Sequence, residues 1–200
     1  MSLVEYVHSG YIEGRRIRRL TSHLTDMFPR DASVLDVGCG SGHLARTIKQ
    51  ERDDLSFGGI DVLLREKTWM PVRTFDGRSI PFDSASMDVV MFVDVLHHAA
   101  DPMALLREAA RVAKKSVIIK DHLLEGVLAE STLRYMDRIG NARYGVALPG
   151  NYWQRHRWDE AFMTIGMSPI EWREQLGLYP PVLDLFFGRS LHFVAKLERA

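Results

Sequence analysis

Short apolar runs alternate along the chain with segments whose apolar residues recur every three or four positions. VLDV (34–37), FGGID (57–61), PVRTF (71–75), DVVMFV (88–93) and SVIIK (116–120) are brief and mostly apolar, as strands buried on both faces of a sheet are. Between them, residues 43–51 carry Leu44 and Ile48 at helical spacing, and residues 102–113 carry Met103, Leu106, Ala110 and Ala113. Strand and helix in alternation predict an α/β fold with a doubly wound, mostly parallel sheet. Two later stretches, SPIEWRE (168–174) and SLHFVAKLE (190–198), alternate apolar and polar residues and are joined without a clear helix, so they read as an antiparallel pair at one sheet edge. Residues 1–29 read as a lead-in, helical from 12 to 28. Residues 122–165 form an insertion, with a helix near 125–139 closed by Gly140, that caps the substrate side.

Composition narrows the class. With 200 residues, 46% of them hydrophobic, the chain suffices for one sizeable core, and residues 1–200 are expected to form a single domain. Lys plus Arg and Asp plus Glu are both 26, so a net charge of zero supplies no bulk attraction to nucleic acid or an anionic membrane. Cys39 is the only cysteine, which excludes an intrachain disulfide and a cysteine-based zinc cluster; no metal is expected. The first residues lack an apolar core of signal-peptide length, and no run of about 18 apolar residues occurs. A soluble cytoplasmic protein is the expectation.

The chemistry is concentrated in SVLDVGCGSGHL, residues 33–44. A phosphate-gripping Walker loop needs Gly-x4-Gly-Lys-Ser/Thr, and neither the lysine nor the spacing follows Gly38. The dinucleotide fingerprint needs a third glycine where His43 stands, while Gly42 comes one residue early. What remains is a strand ending in Asp36, then a turn in which Gly38 and Gly40 let backbone approach a ligand, then a helix. A carboxylate there repels pyrophosphate and attracts an ammonium group, so the ligand is expected to be cationic at that end.

VLDVGCGSG resembles the first motif of the class I S-adenosylmethionine-dependent methyltransferases, and the resemblance extends over residues 30–120 and the last two strands. It implies a Rossmann-like, seven-stranded mixed sheet ending in an antiparallel hairpin, with S-adenosylmethionine as cofactor. By the same resemblance Asp36, Gly38, Cys39 and Gly40 hold the amino-acid end of the cofactor. Asp61, with Val62 beside it, stands where the family places an acid on the ribose hydroxyls. Asp76 and Gly77 match the position that meets the adenine amino group. Val93 and Asp94, followed by the His pair in FVDVLHH, fall near the sulfonium. Similarity is greatest to the branch that includes quinone-biosynthesis enzymes, which implies methyl transfer to a small molecule. Each acid also has a plainer reading as a cap, a turn former or a solvated loop residue, and Cys39 reads as a small turn residue rather than a nucleophile.

Methyl transfer from a sulfonium is an in-line displacement with a neutral leaving group, so the protein mainly aligns and desolvates the reactants. If the acceptor is a hydroxyl or an acidic carbon, His97, His98 or His122 is the candidate base; an amine acceptor requires none. The segment 134–157 carries five Arg and one Asp together with several aromatics. Arg143, Tyr144, Tyr152 and Trp153 are candidates for walling an acceptor pocket that prefers an anionic or aromatic small molecule. Equally, the arginines are solvated and the aromatics anchor the insertion. Arg15 or Arg16 is a candidate for the cofactor carboxylate. The aromatic motif of DNA amino-methyltransferases is absent where the chain reads VDVLHH, and no DNA or membrane partner is expected. An RNA or protein acceptor, a non-catalytic binding module and a partner-dependent subunit remain as alternatives.

Overall fold

The computed structural model describes residues 12–141, 149–188 and 190–199. Seven strands make one sheet: β1 (Ser33–Val37), β2 (Ser56–Asp61), β3 (Val72–Thr74), β4 (Met87–Val93), β5 (Ala113–His122), β6 (Met167–Arg173) and β7 (His192–Arg199). Their spatial order is β3-β2-β1-β4-β5-β7-β6. The first five are parallel, and β7 runs antiparallel between β5 and β6. The seven expected strands and the antiparallel last pair are all present.

Helices cover both faces: α1 (Glu13–Leu24), α2 (His43–Glu51), α3 (Pro102–Val112), α4 (Ala129–Asn141), α5 (Arg155–Thr164) and α6 (Pro181–Phe187). Strand alternation divides the core. On β4, Val90 and Phe92 pack with Leu106 of α3 and Trp158 and Phe162 of α5. On the opposite face Val89 and Met91 pack with Leu20 and Leu24 of α1 and Ile48 of α2. α3 starts where it does because the Asp101 carboxylate accepts the Ala104 N–H at 3.0 Å and Pro102 occupies the first turn, where no N–H is needed.

Four features depart from the sequence reading. β5 runs on to His122, because Lys120, Asp121 and His122 pair with Val194, Phe193 and His192 of β7; polar residues thus continue a buried strand. Gly140 does not close α4 but lies within it. The insertion holds a second helix, α5, whose Trp158, Ala161 and Phe162 are buried against the sheet, so that part covers a sheet face instead of capping a pocket. A short helix, α6, joins the last two strands; it buries none of its residues and therefore left no amphipathic signal. No helix among the described residues is long and apolar enough to cross a membrane.

The connections position a site. Strand order reverses between β1 and β4, and in open α/β sheets the crevice outside the carboxyl ends at such a switch point is where ligands bind. Asp36, Asp61, Asp94 and His122 all sit at or just beyond those ends.

Candidate functional site

On the β1–β2 side the site is built from backbone. Gly38, Gly40 and Gly42 have φ of +73°, +56° and +75°, the left-handed region that side chains resist. At Gly38 a Cβ would lie 2.5 Å from Val95 Cγ2, whereas at Gly40 it would meet nothing within 4 Å, so backbone borders open space there. The Asp61 carboxylate accepts the Gly40 N–H at 2.7 Å and the Leu63 N–H at 2.9 Å. It therefore braces the glycine turn, and its remaining lone pairs can accept further hydrogen bonds. Asp36 lies buried beneath the turn, and burial, reinforced by the negative charge of Asp61, raises its pKa to about 7. A buried acid beside a second carboxylate suits a cationic group, so the residues present fit the ammonium end of S-adenosylmethionine.

Burial and the two nearby carboxylates push the Cys39 thiol well above its ordinary value, as suits a turn residue and not a nucleophile. Val62 is 58% exposed, and a Cβ on Gly77 would come 3.1 Å from its Cγ1, so Val62 and the Asp76–Gly77 turn line one slot. Asp76 accepts the N–H groups of Arg78 and Ser79, each at 2.8 Å, and these bonds hold its carboxyl below the usual range. The plainer reading of Asp76 as a turn former is thus realised, beside the slot the resemblance assigns to adenine.

The β4–β5 side is built from side chains. Asp94, at φ +57°, follows Val93 directly and holds two cations, Arg16 from α1 and Lys120 from β5. Burial opposes its ionisation, but Arg16 and Lys120 keep it well below the carboxylate range. Burial lowers Lys120, whose amino group is wholly enclosed. Arg16 therefore meets a carboxylate of the protein itself, while Arg15 reaches the Gly177 carbonyl at 3.3 Å.

Next to Asp94 four imidazoles converge. His97 and His98 share a 3₁₀ turn, Leu96–His98, and their ring centroids lie 3.9 Å apart; His97 is 4.4 Å from His122, and His122 is 4.8 Å from His192. His97 Nδ1 sits 2.6 Å from Asp121 Oδ1, and Asp121 also accepts the N–H groups of Leu96 and His122. Although burial favours the neutral ring, Asp121 and Asp137 raise His97 to about 10. Burial, then the charge of His97, lowers His98 and takes His122 down to about 4. The Tyr152 hydroxyl donates to Asp137 Oδ2.

All three candidate histidines thus come together, joined by Tyr152. Trp153 does not join them. Its segment is extended, bridged to Leu123, so neighbouring side chains point to opposite sides, and Trp153 packs on Trp158 at 4.8 Å in the core. Arg143 and Tyr144 lie outside the described residues. Sequence reasoning missed Lys120, Asp121, Asp137 and His192. A readable signal existed for the first two: Lys-Asp-His closing the apolar run SVII is costly at the end of a buried strand unless the charges are paired.

The seven-stranded order, with a carboxylate-braced glycine turn at the switch point, is the Rossmann-like architecture that this chain shares with solved class I methyltransferases. Residues 35–119 match the methyltransferase domain family. Among curated relatives, the 27-O-demethylrifamycin SV methyltransferase of Amycolatopsis mediterranei is 29% identical over 131 residues, 55% of this chain and 48% of that protein. The ubiquinone biosynthesis O-methyltransferase of Serratia proteamaculans is 23% identical over 179 residues, 80% of this chain and 72% of the relative. The chain therefore spans about half the length of the first relative. In fold it is similar to the geranyl diphosphate C-methyltransferase of Streptomyces coelicolor, solved with Mg2+, geranyl diphosphate and S-adenosyl-L-homocysteine, at TM-score 0.66 and 13% identity over 92% of this chain and 79% of that one. Each of these named proteins is a methyltransferase.

Proposed function

We propose that this chain, folded as one domain and acting in the cytoplasm, transfers a methyl group from S-adenosylmethionine to a small acceptor held against His97, His98, His122 and Tyr152. The observation that carries the reading is the pair of carboxylates at the glycine turn, Asp61 holding the Gly40 N–H at 2.7 Å above the buried Asp36. When bound, the cofactor supplies a methyl electrophile on a sulfonium. The chain's own part is to receive the cofactor's ammonium at Asp36, its ribose at Asp61 and its adenine between Val62 and Asp76–Gly77. Asp94, Lys120 and the imidazoles close the site around the acceptor and exclude water from the displacement. His98 is half-buried, and burial, then the charge of His97, lowers its pKa. It is the imidazole best placed to face an acceptor from the open side. The arginines that precede α5 in residues 134–157 favour an anionic or aromatic acceptor, whereas Arg155 and Arg157 pair along α5 with Asp159 and Glu160.

Calorimetric titration with S-adenosylmethionine and, separately, with nicotinamide dinucleotides tests this. The expected result is binding of the first alone, weakened by roughly 1–3 kcal/mol in Asp61→Ala through lost hydrogen bonds. A folded Asp61→Ala variant of unchanged affinity would remove the ribose assignment. Binding of a dinucleotide would overturn the reading of the glycine turn.

A further inference from the structure

We propose that His97, His98 and Asp137 hold a divalent first-row transition ion, with His122 at its margin, and that this ion receives an oxygen atom of the methyl acceptor. The ligand atoms of the three residues all lie within 4.8 Å of one another. The single cysteine excludes a thiolate cluster but not one of imidazole and carboxylate.

Hydrogen bonding fixes which atoms face inward. Asp121 already accepts two backbone N–H groups, so as a carboxylate it takes the hydrogen of His97 Nδ1 at 2.6 Å. An ion at Nε2 takes the place of the proton that the neighbouring carboxylates favour there, and the ring then binds it through the Nε2 electron pair. That atom is buried, makes no hydrogen bond among the described residues, and stands 3.5 Å from Asp137 Oδ1. Similar logic applies to His122. The Phe187 carbonyl accepts from His192 Nε2 at 2.9 Å, leaving His192 Nδ1 as an acceptor; it takes the hydrogen of His122 Nδ1 at 3.0 Å. His122 Nε2 therefore carries a lone pair, 3.7 Å from the same Asp137 Oδ1.

Two imidazole nitrogens thus converge on one carboxylate oxygen. The separations exceed the ~2.7–2.9 Å of a charge-assisted hydrogen bond. They approach the roughly 3.3 Å between two ligands of one tetrahedral ion with bonds of ~2.0–2.1 Å. The second layer also fits. A ligating imidazole characteristically donates its other N–H to a carboxylate, as His97 does to Asp121, and ligating carboxylates are themselves hydrogen-bonded, as Asp137 is by Tyr152. An imidazole-rich set favours zinc, iron, nickel or copper over magnesium or calcium. Of the four described residues His97, His98, His122 and Asp137, His98 alone is partly open, which leaves a coordination position facing the acceptor. An ion there lowers the pKa of a bound hydroxyl, so the proton leaves to solvent or a neighbouring imidazole before transfer. The acceptor is then a hydroxylated molecule, an inference that rests on the methyltransferase reading; metal binding itself does not.

The test is titration of untagged, chelator-treated full-length protein with Co2+, followed by visible absorption and calorimetry, with S-adenosylmethionine titrated into the same sample. One equivalent of cobalt with visible bands is expected, displaced by Zn2+, and weakened at least tenfold in His98→Ala and Asp137→Asn variants whose circular dichroism and urea midpoints show them folded. Asp121→Asn, which removes only the orienting carboxylate, is expected to weaken cobalt binding by roughly 10–100-fold. Absence of bands, or bands that persist in the folded His98→Ala/Asp137→Asn double variant, overturns the site. Cofactor binding without cobalt binding removes this inference alone. Cobalt binding without cofactor binding removes the methyltransferase reading and the acceptor role, and leaves the metal site standing.

Discussion

The two halves of the crevice are built by opposite means. On the β1–β3 side, contacts join residues of one turn or of adjacent strands, and most donors are backbone N–H groups: Gly40 and Leu63 to Asp61, Arg78 and Ser79 to Asp76. On the β4–β5 side, partners lie far apart in the chain and are side chains: Arg16 with Asp94 is 78 residues apart, and His122 with His192 is 70. A backbone-built site tolerates many side-chain changes but not a lost glycine. A site built from enclosed charges depends on every partner, because removing one leaves the other buried without compensation.

Lys120→Met sharpens the contrast most. Its amino group is fully enclosed on Asp94, so the variant leaves that carboxylate with Arg16 alone and is expected to lose about 3–5 kcal/mol in urea unfolding. A loss below about 1 kcal/mol, the worth of an exposed pair, would show that this half is not organised by its ion pairs. Gly38→Ala comes second. A side chain at φ +73°, aimed at Val95, is expected to cost ~1–3 kcal/mol of stability and to weaken S-adenosylmethionine binding in calorimetry. Full cofactor affinity in that variant would mean that the backbone path of the turn does not set the site.

The same contrast explains what the sequence disclosed. Asp36, the glycines and Asp61 were legible because strand ends and positive-φ turns leave local signatures, and Val34 to Val37 and Ile60 to Asp61 marked their strands unmistakably. Asp137 and His192 were not legible, since their meaning arises only when β5 pairs with β7 and α4 brings Asp137 beside His97 and His122. His97 and His98 were visible as candidates, but not that a 3₁₀ turn would set their ring centroids 3.9 Å apart beside His122 and Tyr152. α5 shows a different failure. Trp158, Ala161 and Phe162 have helical spacing, yet the arginines around them drew attention to a pocket instead of to the sheet face they cover.

The smallest predicted effect joins the two halves of this comparison, because it gives the backbone-built site a titration of its own. Asp36 has its pKa raised to about 7, first by burial and then by Asp61. For an acid raised in the folded state, the protonated form is the one the fold favours. Its contribution to stability is present below the unfolded value of about 4 and is lost as pH climbs through about 7. The cofactor's ammonium favours the carboxylate, so binding below that point must release the proton. S-adenosylmethionine affinity is therefore expected to rise about tenfold per pH unit up to about 7 and then level off. Calorimetry in two buffers of different ionisation enthalpy reads both the affinity and the proton released. Asp36→Asn is expected to bind more weakly and to flatten the profile. A wild-type profile that is already flat across this range, with no proton released, would mean that Asp36 does not meet the ammonium and that the cationic end of the ligand lies elsewhere on the turn.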